Sequence, residues 1–434
     1  MVQVPRTDNT VLRLRMVRRW LVSSVLLLSL GCGRSSIFGE PWQAGGADGG
    51  WGEDEDASAS EPGRDDADAP PFDGCGDGVI VPGELCFLPQ VTFASRIDPC
   101  SIDIGDLDDD GHLDVAVPNS DFQHAEAPDN YASVLYGDGR GNLSAPEPWL
   151  AGGDFAVGLA IGSFDDDGID DLAVANNEAA TINVMRGQGQ RAFGSPSPLW
   201  VGTEPVVVAA ADLDGDGFDD LGVTVSGEGS VAIALSNGDG SFTEPQLYHR
   251  GGAPWGLTFA DLDGDGALDM IATDSSGHRV FLWYGRGDGT FVDGGHVDVG
   301  VGPTGVTAAD VDGDGHVDLV VANTRSSSIS VLLGDGARGF RQHLEYNTDE
   351  GPRAIAISDF DMDGHLDLAV VCGNAGTLQF FIGSGTGSFV ARARYQLGNL
   401  PVDVRAGDFN GDGIDDLAVA NQLSDNVGLI LSNP

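Results

Sequence analysis

Positive charge is scarce in this 434-residue chain. Its 21 Lys and Arg face 68 Asp and Glu, for a formal net charge of −47 and a sequence pI near 4.1. That balance disfavours nucleic acid as a partner, because binding to phosphates rests on Lys and Arg. Histidine is also rare, at 8 residues, and there is no nucleophile elbow or zinc-ligand signature. Acid–base catalysis needs positioned groups of tuned pKa, and a repeat claims 26 of the 68 carboxylates. The apolar run from Trp20 to Leu30 is too short to span as an ordinary membrane helix. Cysteine is limited to 5 residues.

What the chain has in excess is one nine-residue stretch, seen in Asp212-Leu-Asp-Gly-Asp-Gly-Phe-Asp-Asp220. Carboxylates stand at positions one, three, five and nine, and glycine at six. Seven copies begin at Asp106, Ser163, Asp212, Asp261, Asp310, Asp359 and Asp408; the first interval is 57 residues and the other five are 49. A fixed period of this size means stacked or radially arranged units. Alternating Asp side chains in a tight loop aim at a common centre, which suits calcium, a hard cation with 6–8 oxygen ligands. An EF-hand would need Glu at position twelve and flanking helices. Position twelve is instead Val117, Val174, Val223, Ala272, Val321, Val370 or Val419, inside apolar runs that read as buried strands. An acidic turn without metal explains one copy well and seven in register poorly.

The N-terminus reads as a targeting segment. Arg13, Arg15, Arg18 and Arg19 precede the apolar run, which ends Leu28-Ser-Leu-Gly-Cys32. This resembles a bacterial lipobox, with Ser29 where Leu is usual. Residues 1–32 are therefore expected to be a signal with lipidation at Cys32, and the chain to be exported to the outer membrane or cell surface; a plain secretory signal is the alternative. Residues 33–74, rich in Gly, Asp, Glu, Ala, Ser and Pro, cannot bury enough surface to fold. As a tether they would reach roughly 35 Å. Residues 75–89 form a small segment of their own. An exported chain permits disulfides, and the turn-rich loop from Cys75 to Cys86 suits a Cys75–Cys86 bridge. Cys100 and Cys372 are then expected to be buried free thiols.

Around each loop the pattern is one of strands. Pro99, Pro205, Pro254, Pro303, Pro352 and Pro401 stand seven residues before six of the loops, with Ala156 before the other. Each strand from proline to loop alternates large apolar residues with small ones, as suits strands crowded around an axis. A second apolar strand, a polar turn, a third strand, a Gly-rich hairpin and a more polar fourth strand follow. Four antiparallel strands repeated radially describe an all-β, seven-bladed propeller. The last copy lacks its fourth strand, and the unassigned piece Gln90–Ile97 is expected to supply it and shut the ring.

The repeats over residues 90–434 resemble FG-GAP/VCBS repeats, found in integrin α-subunit propellers and bacterial surface proteins. Gly252-Ala-Pro254 even keeps part of the family's name. The resemblance implies a calcium-stapled propeller that binds a partner. Its ligand pattern falls on Asp106, Asp108, Asp110 and Asp114; on Asp212, Asp214, Asp216 and Asp220; on Asp261, Asp263, Asp265 and Asp269; on Asp310, Asp312, Asp314 and Asp318; and on Asp359, Asp361, Asp363 and Asp367. The seventh site has Asp408, Asn410, Asp412 and Asp416, where an amide oxygen still ligates. The second has Ser163 at position one, leaves Asp165, Asp167 and Asp171, and is expected to be weakest.

The calcium turns share one face of the disk, here the loop face. The variation falls on the opposite, second face. An eight-residue insertion within Pro118–Ala132 carries Asp121, His124, Glu126, Asp129 and Tyr131, and Trp255 and Arg353 stand at equivalent strand starts. Variable loops on a rigid scaffold suit recognition, so His124, Tyr131, Trp255 and Arg353 are the candidate ligand contacts. Padding between blades is the plainer reading of Trp255. The expected function is a monomeric surface module for a glycan or protein. The alternatives are a polysaccharide-active enzyme of lyase type and a purely structural envelope protein.

Overall fold

The computed structural model describes residues 83–120 and 130–433. Seven four-stranded antiparallel sheets follow one another along the chain. Blade 1 consists of β2 (Asp103–Gly105), β3 (Asp114–Asn119), β4 (Tyr131–Leu135) and β5 (Glu147–Leu150). Blades 2 to 6 occupy residues 156–200, 205–249, 254–298, 303–347 and 352–396. Blade 7 contributes β26 (Pro401–Gly407), β27 (Asp416–Asn421) and β28 (Asn426–Ile430). Its fourth strand is β1 (Val91–Ala94), paired antiparallel to β28 with Val91 opposite Leu429 and Phe93 opposite Val427. The ring therefore closes as the sequence anticipates, with β28 paired on both sides by β27 and β1.

The six prolines do what proline does best, opening a strand where an N–H is not needed, and Ala156 stands in for a seventh. Inner strands start at Pro205, Pro254, Pro303, Pro352 and Pro401, and at Ala156 in blade 2. Blade 1 is the exception, with Pro99 in an isolated bridge to Asn119 ahead of a three-residue β2. The second strand of every blade is buried along its full length, which explains its run of unbroken apolar residues. Outer strands alternate exposed and half-buried residues.

There is no single core. Apolar side chains form layers between neighbouring blades; Ile329, Val331 and Leu333 of blade 5, for example, pack on Ile355, Leu368 and Phe381 of blade 6. Inner strands approach so closely that a Cβ on Gly158 or Gly256 would fall 2.2 Å from the carbonyl oxygen of Val206 or Thr304 in the next blade. That contact, rather than side-chain taste alone, keeps these positions small.

Residues 83–89 lie on the propeller. Leu88 N–H donates to the Leu431 carbonyl at 2.8 Å and Gly83 N–H to the Asp361 carbonyl at 2.8 Å. Phe87 stacks on Phe380 with centroids 5.0 Å apart. Cys372 is buried and free; Cys86 and Cys100 are not free, so the free thiol expected at Cys100 is not found. Cys75 and Cys32 lie outside the described residues, and with them the expected bridge and lipidation. No helix among the described residues is long and apolar enough to cross a membrane.

Candidate metal centres

Each Asp loop links the inner strand of a blade to its second strand, and three sets of hydrogen bonds give it its shape. The position-nine carboxylate is the anchor. Asp114, Asp171, Asp220, Asp269, Asp318, Asp367 and Asp416 are all buried. In every blade one of its oxygens accepts the position-two N–H at 2.9–3.1 Å. The other accepts a backbone N–H at the end of the third strand at 2.7–2.8 Å. One side chain thus ties three strands together.

The position-one carboxylate folds the loop back on itself, accepting the position-six glycine N–H at 2.8–3.0 Å in the six loops that have one. Those glycines, with Gly168 of the Ser163 loop, have φ between +78° and +96°, a region costly for any side chain. The position-five Asp caps the position-seven N–H at 2.9–3.0 Å in all seven loops.

Carboxylates converge as a consequence. In five loops, three of them place oxygens within 4.8 Å of one another: Asp106, Asp108 and Asp114; Asp212, Asp214 and Asp220; Asp261, Asp263 and Asp265; Asp310, Asp312 and Asp318; Asp359, Asp361 and Asp367. Within these groups the Oδ1 atoms of Asp108, Asp312 and Asp359 are buried with no hydrogen-bond partner. A buried acceptor without a donor is costly, and a divalent cation is the partner that such oxygens fit. Burial pushes the anchors Asp114, Asp171, Asp220 and Asp367 up to about 7 and Asp269, Asp318 and Asp416 up to about 6, although their backbone donors pull the other way. The donor set therefore suits an oxygen-seeking ion.

The Ser163 and Asp408 loops form no such group. Ser163 brings no carboxylate, in keeping with the weak site expected there. In the seventh loop Asn410 Nδ2 donates to Asp412 Oδ2 at 3.1 Å, and Ser432 Oγ donates to the same oxygen at 2.8 Å. Asn410 Oδ1 accepts the Asp412 N–H at 2.8 Å, as the position-three Asp Oδ1 accepts the position-five N–H in the Asp165, Asp214, Asp263 and Asp361 loops.

Arginines enter three of the five groups, which the nine-residue motif gives no sign of. Arg191 of blade 2 donates from Nε to Asp108 Oδ2 of blade 1 at 2.8 Å. Arg338 of blade 5 pairs with Asp263 of blade 4 and lies 4.5 Å over the Tyr284 ring. Arg341 pairs with Asp312 and Asp314 of its own blade. Only the Asp212 and Asp359 groups have no arginine on their oxygens among these pairs. The chain contains no lysine, so every ion pair to a loop carboxylate of this kind falls to an arginine.

The remaining sequence candidates fall in different settings. Trp255 is 8% exposed and packs in the layer between blades 3 and 4. Arg353 is buried. Tyr131 opens β4 with the Arg96 guanidinium 4.6 Å from its ring. His124 lies outside the described residues. Trp200, on the outer strand of blade 2, is 57% exposed; its place on an outer strand was the only sequence signal separating it from Trp255.

Several solved structures share the fold. BBS1N, solved in complex with ARL6DN, is 12% identical, with a TM-score of 0.57 over 80% of this chain and 97% of that one. Streptogramin B lyase is 15% identical, with a TM-score of 0.54 over 80% and 98%. A protein from Lactobacillus plantarum is 18% identical, with a TM-score of 0.54 over 73% and 91%. At such identities the likeness concerns fold alone. No curated protein matches the chain. The FG-GAP-like repeat model matches five times, over residues 163–223, 218–272, 265–321, 310–370 and 359–419. These matches cover more than half of the chain, and it belongs to the FG-GAP-like repeat family.

Proposed function

We propose that this chain is a calcium-stapled recognition module, exported and held at the cell surface through a lipid on Cys32, that binds a glycan or protein on its second face. Calcium is the ion best suited to the loops, as an oxygen-only donor set with several carboxylates favours it over softer metals. Its role is structural: it neutralises crowded charge and leaves the second face to carry specificity.

The observation that carries the reading is that three of the most exposed large apolar residues share one end of neighbouring blades. Leu150, Trp200 and Leu423 are each 57% exposed. They sit at the second-face ends of blades 1, 2 and 7, three consecutive blades. The insertion of blade 1 joins β3 to β4 at that same end. An exposed indole beside polar loops suits the apolar face of a sugar ring or a protein side chain. Since a lyase shares the fold, the fold does not choose between binding and catalysis; the absence of a paired acid and base in the sequence argues for binding. A glycan array and an envelope-protein pull-down with the calcium-loaded protein test this reading. Binding lost in Trp200→Ala with an unchanged melting temperature supports it. Binding that survives Trp200→Ala moves the site elsewhere.

A further inference from the structure

Blade 7 ends without the hairpin that joins third and fourth strands elsewhere, and an N-terminal strap, residues 83–87, stands in for it. In blades 1, 2 and 3 the hairpin is closed by a bridged pair, Gly137 with Leu143, Gly187 with Phe193 and Ser236 with Phe242. In blade 7 the corresponding bridge joins Ser432 to Phe87. Hairpins also reach back to the Asp loop of the preceding blade. Gly141 N–H donates to the Phe409 carbonyl at 2.9 Å, Gly240 N–H to that of Phe164 at 3.2 Å and Gly289 N–H to that of Leu213 at 3.2 Å, each at position two of its loop. On the blade 6 loop the strap makes this kind of contact, through Gly83 N–H and the Asp361 carbonyl at position three. Leu85 is buried in the apolar layer that holds Phe360, the position-two residue, and Phe87 meets the Phe360 ring edge-on at 6.0 Å.

The loop under the strap holds the most buried of the five carboxylate groups. Asp361 and Asp367 are both buried, whereas each other group has at most one buried member. Position three is half-buried at Asp108, Asp214, Asp263 and Asp312 but only 4% exposed at Asp361. Asp165, the one other buried case, lies against the blade 3 hairpin through an Asp165–Asp239 bridge, so burial at this position goes with a covering segment. Three of the other groups have an arginine. Among the described residues none pairs with this one, and Asp359 Oδ1 is sealed from solvent without a hydrogen-bond partner. Burying unpaired charge is costly, and the attraction between a carboxylate and an ion grows as water is excluded. The strap therefore sits badly on an empty group and well on a filled one.

We propose that the strap is a calcium-set clasp: docking of residues 83–87 on the blade 6 loop and an ion in the Asp359 group stabilise each other, so that the ion fixes where the N-terminal segment meets the disk. Coupling of this kind is reciprocal. The ion holds the strap, and the strap tightens the ion. The inference rests on the reading that these loops take calcium, and it stands whether or not the Trp200 surface binds a glycan or protein.

The test follows amide hydrogen exchange in the full-length protein as calcium is returned after EDTA treatment. Exchange at Gly83 is expected to slow by about tenfold or more at saturating calcium. The comparison is Asp359→Asn with Asp361→Asn, which removes two charges from this group and leaves the other four groups intact. In that variant, at saturating calcium, Gly83 should exchange fast while the Asp106, Asp212, Asp261 and Asp310 loops keep their protection. In the reverse direction, Leu85→Ala with Phe87→Ala should weaken calcium binding at one site by about tenfold in calorimetric titration and leave the others unchanged. Gly83 exchange that ignores calcium while the four other loops respond overturns the clasp. So does full Gly83 protection in the Asn variant, or unchanged calcium affinity at every site in the Leu85 and Phe87 variant. If no loop responds to calcium, the reading beneath the inference fails with it. The two variants report independently, so if one does not fold the other decides.

Discussion

Blades 3 to 6 and the seam formed by blades 7, 1 and 2 are built from one repeat by two different means. In the arc of blades 3 to 6 the loops recur every 49 residues, all four carboxylate positions are filled, and each loop gathers a metal-type group. The seam holds both departures at the carboxylate positions, Ser163 and Asn410, together with the 57-residue interval and the missing proline at Ala156. It has one carboxylate group, at Asp106. In exchange it has a buried ion-pair triad, in which Arg405 joins Asp403 of blade 7 to Asp103 of blade 1, while Asp103 also accepts the Ile161 N–H of blade 2 at 2.9 Å. The arc is suited to a metal from solution, whereas the seam carries its own cation. A ring needs one joint that holds before any ion arrives, because closure is what removes the exposed edges.

The largest effect that tests this contrast is calcium removal. With five groups each contributing about 1.4 kcal/mol at tenfold over its dissociation constant, EDTA should cost about 7 kcal/mol of stability. Hydrogen exchange should locate most of the loss in blades 3 to 6 and the rest at the Asp106 loop of blade 1; uniform loss around the ring, or no loss, breaks the contrast. Next comes Arg405→Met, which strands two carboxylates at the seam and is expected to cost about 3–5 kcal/mol in chemical denaturation, with or without calcium. Arg353→Met, which strands no carboxylate among the described residues, should cost far less. A smaller gain is expected of Asn410→Asp: it removes the amide donor from Asp412 and should add a calcium-dependent increment of about 1.4 kcal/mol under the same conditions. Smallest is Arg338→Gln. Exposed ion pairs are worth about 0–1 kcal/mol, so freeing Asp263 should tighten calcium binding by at most several-fold in calorimetric titration.

Much of the fold was legible because the period is fixed and the loop chemistry is strict. Both the blade count and the closing strand follow from where the copies start and stop, and Val91–Ala94 falls inside the stretch expected to close the ring. The convergence of the loop carboxylates was legible for the same reason: the residues concerned lie within nine positions of each other. What the sequence hid is contact between blades. Asp103 and Arg405 are 302 positions apart, and only closure makes them neighbours. Arg191 and Arg338 reach loops of adjacent blades from hairpins that the motif does not include. Trp255 and Trp200 look equally available in sequence; one begins an inner strand and is pressed between blades, the other ends an outer strand at the rim.

The joint that closes the ring is also where the described chain begins and ends. Asn433 N–H donates to the Cys86 carbonyl at 2.9 Å, beside the bond from Leu88 to Leu431, and β1 follows directly. Any load applied through the preceding N-terminal segment therefore enters the disk first at residues 83–88, bonded to Asp361 and Leu431, and then at β1, against a partner strand from the far end of the chain. Antiparallel pairing of only four residues makes this the mechanical fuse of the molecule. Tension would open the ring there while the six other blades, each made from contiguous chain, stayed whole, so a pulled molecule should fail at its latch first and reseal when slack returns.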